Sequence, residues 1–466
     1  MREELLNKEY RFQRRSSGFS IIEVILAGSL FAIVMTGVMS AVLYGAEGSS
    51  GAGARSEASF LGEEGLDVMQ NIRDESFTNL LPGTFGLAVS SSRWVTSGTQ
   101  DIVDVFTRQI GVSSTDSKRR DVTARIVWSQ NPVRSGSISL TTRLTDWRRA
   151  AWTAPTRQTG IDSSGNNDGL KVQVQGDFAY FVRNDGTPDF VAVNITNSAA
   201  PTIVGSLSLS GAPVNIAVSG NFAYVSSDDN TQELQIINIT NPAAPSLAGS
   251  LNLNGTANGD GIFVVGTTVY YGRVSSGDPE FLVINASNPA APTITGSFEV
   301  GAGTLGIWVS GAAAYVASDS GTQEFQVIDI STPSAPTRIG LVNLAGTTNA
   351  TTITGIGTVA VIGQGSNVHK INITTPASPS LMGTLAVGGT VNDVTPSDDG
   401  STVFLATSNT AADFQAIDIT GAGAPTLLGS VNLSGTINGV AYDPPPRDRV
   451  YAVGALNTEE FTVIQP

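Results

Sequence analysis

The sequence predicts a mostly β chain, with an N-terminal transmembrane helix, a small α+β head and then a seven-bladed β-propeller. Three observations carry this. An Ala-Pro phrase or its near equivalent recurs with Pro155, Pro201, Pro245, Pro292, Pro336, Pro379 and Pro425, so the spacing stays between 43 and 47 residues. An apolar run from Phe19 to Tyr44 carries a single charge, Glu23. The 466 residues include 51 glycines, with 14% charged and 7% aromatic residues, a turn-rich composition that suits sheets better than helices.

Each repeat has room for four short strands. One follows the proline, as in Gly249-Ser-Leu-Asn-Leu253, and a second precedes a turn such as Val218-Ser-Gly-Asn221. The third is the apolar segment around Ala223-Tyr-Val225 and its six counterparts, and the fourth is the segment Leu234 to Ile237 with its counterparts. Four strands at a period of about 45 residues make a propeller blade, and closing the ring removes long sheet edges. The last repeat stops at Pro466 after three strands, and residues 155–160 before the first repeat supply the missing one. That strand is therefore expected to close the ring.

At the other end, residues 1–17 are polar and basic, and Gly18-Phe19-Ser20-Ile21-Ile22-Glu23 opens the apolar run. Twenty-six residues at about 1.5 Å each exceed a hydrocarbon layer of about 30 Å. The basic leader is expected to stay cytoplasmic. Beyond it, Ala58, Leu61, Val68, Met69 and Ile72 recur at helical spacing, with Gly45 to Gly53 expected to loosen the middle. Strand signals follow in Val122–Trp128 and Gly136–Trp147, with residues 129–136 read as the turn. The expected organisation is a leader at 1–18, a membrane helix at 19–44, a head at 45–150 and the propeller at 151–466.

The N-terminal pattern resembles the type IV pilin and pseudopilin family, whose signature is a basic leader, Gly, an N-methylated Phe and Glu at the fifth mature position. Gly18, Phe19 and Glu23 fall on those places. The resemblance implies cleavage after Gly18 by a prepilin peptidase, methylation of the Phe19 amine, and pairing of Glu23 with the Phe19 amine of a neighbouring pilin subunit. It also implies inner-membrane anchoring before assembly and an extracellular pilus-like filament afterwards. A helix followed by an antiparallel sheet is the implied head, although the usual disulfide-closed loop is impossible without cysteine. Phe60 to Asp74 is similar to the corresponding segment of bacterial minor pilins. A plain signal anchor with an incidental Glu23 is the alternative. A carboxylate in hydrocarbon is costly and usually partnered, which favours the pilin pattern.

The repeats lack the Trp-Asp and Gly-His marks of WD40 units. They resemble LVIVD-type repeats, most clearly in Phe325-Gln-Val-Ile-Asp-Ile-Ser-Thr-Pro-Ser-Ala-Pro336, with YVTN-like repeats as the near alternative.

Composition narrows the function classes. Absence of cysteine removes disulfides and thiolate metal sites, and the lone His369 cannot build a multi-histidine centre. Residues 1–150 carry 17 Lys+Arg against 16 Asp+Glu, whereas residues 151–466 carry 8 against 24. So acidic a body does not suit nucleic acid, which is bound through phosphate neutralisation. Two classes remain: a minor pilin presenting an extracellular propeller for adhesion or ligand binding, or a membrane-tethered extracellular propeller enzyme resting on carboxylates, tyrosine or metal. A minor pseudopilin of a type II secretion system is a variant of the first. A propeller is bulky for a repeating shaft subunit, which favours a low-copy or tip position. No cofactor is expected, apart from calcium as a candidate on the acidic face.

That face gathers half of the acids after residue 150 into the loops between second and third strands: Asp185, Asp189, Asp228, Asp229, Glu233, Asp278, Glu280, Asp319, Glu324, Asp413, Glu459 and Glu460. Clustered carboxylates attract cations or a basic partner; the competing reading is a solvated rim. Asn-x-Ser/Thr at Asn194, Asn238, Asn285 and Asn372 occupies one repeat position, which points to turn chemistry rather than glycan acceptors. The segment Asp162 to Gly169 lacks the EF-hand register and reads as a loop, and the five tryptophans read as core.

Overall fold

The computed structural model describes residues 21–90, 93–115, 119–131, 134–146, 151–163, 168–184, 187–253, 255–456 and 459–466. Gly18, Phe19 and Asp185 lie outside this set, as does the side chain of Glu23. Apart from residues 116–118, the chain divides into two compact units, one ending at Asp146 and one spanning Trp147–Pro466.

The first unit is one helix on one sheet. Helix α1 (Ile21–Glu75) runs unbroken for 55 residues. Its segment Val24–Leu43 is apolar and long enough to cross a membrane, and none of it is buried against protein. The expected loosening at Gly45 to Gly53 is absent. Each glycine costs about 1 kcal/mol relative to alanine, but no proline interrupts the ladder, and the C-terminal half is held by packing. Val68, Met69 and Ile72 bury against Leu87, Ile110, Val122 and Ala124, while Ala58 meets Phe106, Ile126 and Trp128.

The sheet contains β1 (Gly83–Ser90), β2 (Arg93–Ser97), β3 (Asp101–Val103), β4 (Phe106–Ser114), β5 (Arg119–Asn131) and β6 (Arg134–Thr145). Its order is β2-β1-β4-β5-β6, with β3 on β4. Buried Arg108 of β4 pairs with Glu64 of the helix at 2.7 Å and with Asp101 at 2.9 Å, fixing the helix on the sheet. The strands run further than expected, because Gly136 is not in a turn. It pairs with Trp128, and a side chain there would collide with the indole.

Among the described residues the second unit contains seven four-stranded antiparallel sheets. The first strand of each lies beside the first strand of the next, and that of the seventh beside that of the first, so the sheets form a closed, propeller-like cycle. Strand order within a sheet follows the chain from the centre outward, and the strand after the proline is the outermost. Second strands such as Phe222–Ser227 and third strands such as Leu234–Asn238 are buried on both faces. This is why they read as continuous apolar runs rather than alternating ones. Cores form between successive sheets, as where Tyr224, Leu234 and Ile236 meet Val269, Tyr271 and Ile284. Six of the first hairpins turn on a left-handed glycine, among them Gly176, Gly220 and Gly266, where a Cβ would be strained.

The seventh sheet combines three C-terminal strands with β7 (Thr156–Ile161), which pairs with Glu459–Gln465 in the register Phe461↔Ile161 to Gln465↔Thr156. The ring is therefore closed by the strand that precedes its first repeat.

The proline phrase has a packing role. Gly205, Gly249, Gly296 and Gly340 of the outer strands each lie under a proline carbonyl of the next sheet's turn, respectively Pro242, Pro289, Pro333 and Pro376, and a Cβ would overlap that backbone. Asn194, Asn238, Asn285 and Asn372 open these turns by accepting the N–H two residues on, each at 2.9 Å. Turn chemistry thus accounts for the four repeated sequons. Gly296→Ala is expected to destabilise the second unit by about 2–3 kcal/mol, because rigid backbone must move. Urea unfolding followed by circular dichroism reads this, and an unchanged midpoint would contradict the packing role.

Candidate functional site at the channel mouth

The acids singled out in the sequence divide into two groups. Asp189, Glu233, Glu280, Glu324 and Asp413, each directly before a third strand, and Glu460, the second residue of the last one, are buried, none more than 6% exposed. Five accept the backbone N–H of the residue 20 positions on, Leu209, Leu253, Val300, Leu344 and Leu433, at 2.8–3.1 Å. Glu460 accepts Ser163 N–H at 2.6 Å, the equivalent place after ring closure. Each clasps the exit of its sheet's outer strand. In the exceptional repeat, which has Asn367 in place of an acid, Val387 N–H donates instead to the Ser366 carbonyl at 2.9 Å.

The expectation of a uniform acidic binding face is corrected for these six. A buried donor without a partner is expensive, and a carboxylate in the loop is the acceptor that satisfies it. Burial pushes the Asp189 and Asp413 carboxyls above their ordinary values, with the backbone donors opposing.

Most of the remainder serve loops. Asp228 accepts Ala212 N–H at 2.6 Å, and Asp319 accepts Gly303 N–H at 2.6 Å. Asp229 takes the Ser210 hydroxyl and both donors of Thr231, which hold its carboxyl below the usual range. Glu459 pairs with Arg157, while Asp278 is exposed. Among the described residues no group of three or more Asp, Glu or His is placed to hold a metal ion.

A different set converges on the central channel. The second residue of six first strands, Leu170, Val214, Asp260, Leu305, Thr351 and Asn392, and the fourth residue of the seventh, Asn438, line one mouth, joined by Lys171 and Asn215 around a cavity of about 290 Å³. Lys171 crosses to the sixth sheet, where its ammonium meets Asp393 at 2.9 Å and the Asn392 carbonyl at 2.8 Å. Asp393 also accepts Thr352 Oγ1 at 3.2 Å and Val440 N–H at 3.0 Å, so this pair is internally satisfied.

Asp260 differs. Its backbone carbonyl accepts the Ser226 hydroxyl at 2.7 Å, but no described residue donates to its carboxylate. Burial pushes it up to about 7; the Lys171 charge opposes and Asp319 adds. Asn392 and Asn438 donate their amide N–H groups to the carbonyls of Ile437 (2.8 Å) and Gly169 (2.9 Å), which fixes the amide orientation. Their side-chain oxygens receive no donor from described residues. The channel's other end, about 260 Å³, is walled by Phe263, Trp308, Thr354 and Thr395. Trp308 thus stands on the channel wall as well as packing on Tyr315.

None of the channel residues was marked by sequence reasoning. They sit one per repeat, and their types differ from repeat to repeat. His369 is buried, bonded to Thr384 and Gln364, with burial holding its imidazole below its usual value.

The geometry defines a propeller-like repeat ring with a mixed polar and apolar channel, a scaffold of the ligand-binding or adhesion type. Three segments of it, residues 168–208, 210–253 and 303–343, match a family model described as LVIVD repeat. No curated protein matches the sequence. A chain of a mitotic checkpoint complex crystal structure aligns with 68% of this chain and 96% of its own at a TM-score of 0.53 and 12% identity, a likeness of fold alone. A computationally designed protein aligns with 79% of this chain and 95% of its own at a TM-score of 0.46 and 12% identity.

Proposed function

We propose that the protein is a minor type IV pilin-like subunit that carries a seven-bladed LVIVD propeller outside the cell as an adhesion or ligand-binding module. The observation that carries this reading is the single 55-residue helix, whose first part is apolar and uncovered and whose last part packs on an antiparallel sheet. An uncovered apolar helix needs lipid or other helices around it. Prepilin peptidase, other pilin subunits and the inner membrane are the implied partners.

A Gly18→Ala chain is expected to remain a membrane-retained precursor, read by intact mass. A mature mass beginning at Phe19 would overturn the processing step. Glu23→Ala should be processed but enter filaments at several-fold lower levels, since the apolar assembly would lose its carboxylate–amine pair; unchanged incorporation would remove that role.

A further inference from the structure

We propose that the channel mouth is a binding site for an alkylammonium group, with Asp260 as its counter-ion and the side-chain oxygens of Asn392 and Asn438 as further acceptors. The inference rests on the ligand-binding half of the functional reading and is independent of the filament half.

Four features of the mouth select this chemistry. Its acceptors stand on opposite sides of the ring: the Asp260 carboxylate of the third sheet and the amide oxygens of Asn392 and Asn438 in the sixth and seventh lack donors among the described residues. Lys171, the one cation among the described residues of the lining, is already engaged by Asp393 and the Asn392 carbonyl, and the Asn215 oxygen accepts Ile216 N–H. Val214 and Leu305, on the sheets either side of Asp260, and Leu170 give the same mouth apolar lining, which suits a short alkyl chain better than a bare ion. A hard divalent cation takes six to eight oxygens, more than one free carboxylate and two amides offer.

An ammonium group of this kind arrives either on a free amine or on a lysine side chain of a partner. The cavity, about 290 Å³, accommodates the group and a few carbons in both cases.

Proton linkage sharpens the expectation. Only ionised Asp260 attracts the cation, and burial pushes its carboxyl up to about 7; it faces Lys171, Asp319 and Tyr271, with Asp393 behind Lys171. Apparent affinity is the intrinsic value scaled by the competent fraction. Binding is therefore about a hundredfold weaker at pH 5 than at pH 8.

The test uses the full chain in detergent, titrated calorimetrically with n-butylammonium chloride, with n-butanol as the neutral control. Saturable binding of the ammonium, absent for the alcohol and weakened at least tenfold in Asp260→Asn, is the expected result. A lysine peptide blocked at both ends is then added: competition assigns the partner-borne source, and its failure the free amine. Asp260→Asn relieves a half-buried carboxylate that no described residue donates to, so it should melt higher than the parent at pH 8 and alike at pH 4. Indifference of the folded Asp260→Asn chain to loss of the carboxylate, or equal binding of butylammonium and butanol, would overturn the proposal. Loss of filament processing in Gly18→Ala leaves this binding untouched, so the two readings fail separately.

Discussion

Replacing Asp413 by alanine should destabilise the repeat ring by about 3–5 kcal/mol, the largest effect expected of any single clasp. Its carboxylate accepts the N–H groups of Phe414 at 3.0 Å, Leu433 at 2.8 Å and Gly435 at 3.4 Å, and the side chain is fully buried. Each buried donor left without a partner costs about 1–3 kcal/mol, and the pocket left by truncation adds to this. Asp413→Asn keeps one acceptor oxygen and should lose about half as much. The exposed Asp278→Ala should stay within about 0.5 kcal/mol of the parent.

Burial raises the folded-state carboxyl of Asp413 above its unfolded value, so the folded chain holds that proton more tightly. The stability this contributes is full below the unfolded value and is lost as pH rises through the folded one. The deficit of Asp413→Asn should therefore be larger at pH 4 than at pH 7. Urea midpoints at the two pH values read both effects, and an Asp413→Ala midpoint equal to the parent's would dismiss the clasp.

Deleting residues 156–161 from the full chain should lower the melting temperature of the ring by more than about 10 °C and cause concentration-dependent association. The deletion strips the partner from Glu459–Gln465, leaving that strand as an open edge, and uncovers Phe461, Val463 and Ile464, which are buried. An unpaired apolar edge recruits other chains. At about 2–4 °C per kcal/mol for a unit of this size, losing a five-pair ladder and its covering accounts for the shift. Restoring the six residues after Pro466 through a two-residue turn should recover the parent's melting, because Thr156 already faces Gln465 in the antiparallel register. A deletion variant that stays monomeric and melts with the parent, or a restored chain no better than the deletion, would show that β7 is not the closing strand.

Much of this architecture was legible in the residues because it is local or strictly periodic. Strands buried on both faces appear as apolar runs such as Phe281–Ile284, glycine turns mark the hairpins, and Asn-x-Ser/Thr at Asn194, Asn238, Asn285 and Asn372 marks outer turns. Closure by residues near 155–160 followed from the missing strand of the last repeat. The acids before the third strands were visible as a repeated feature, but not as clasps: a polar residue in a loop has the same appearance whether it faces water or a buried N–H 20 residues away.

The sequence by itself determined the phase of the repeats, the apolar N-terminal span and the strand that joins the chain's last sheet, since each depends on periodicity, length or an unpaired edge. Tertiary structure alone decided that Glu324 and its counterparts are internal acceptors, that Gly205, Gly249, Gly296 and Gly340 lie under proline carbonyls of the next sheet, and that Asp260 lines one cavity with Asn392 and Asn438 without a donor among the described residues. The physical reason is separation. The channel mouth takes one unlike residue from each repeat, tens of residues apart in sequence, and only closure of the ring brings them around one cavity.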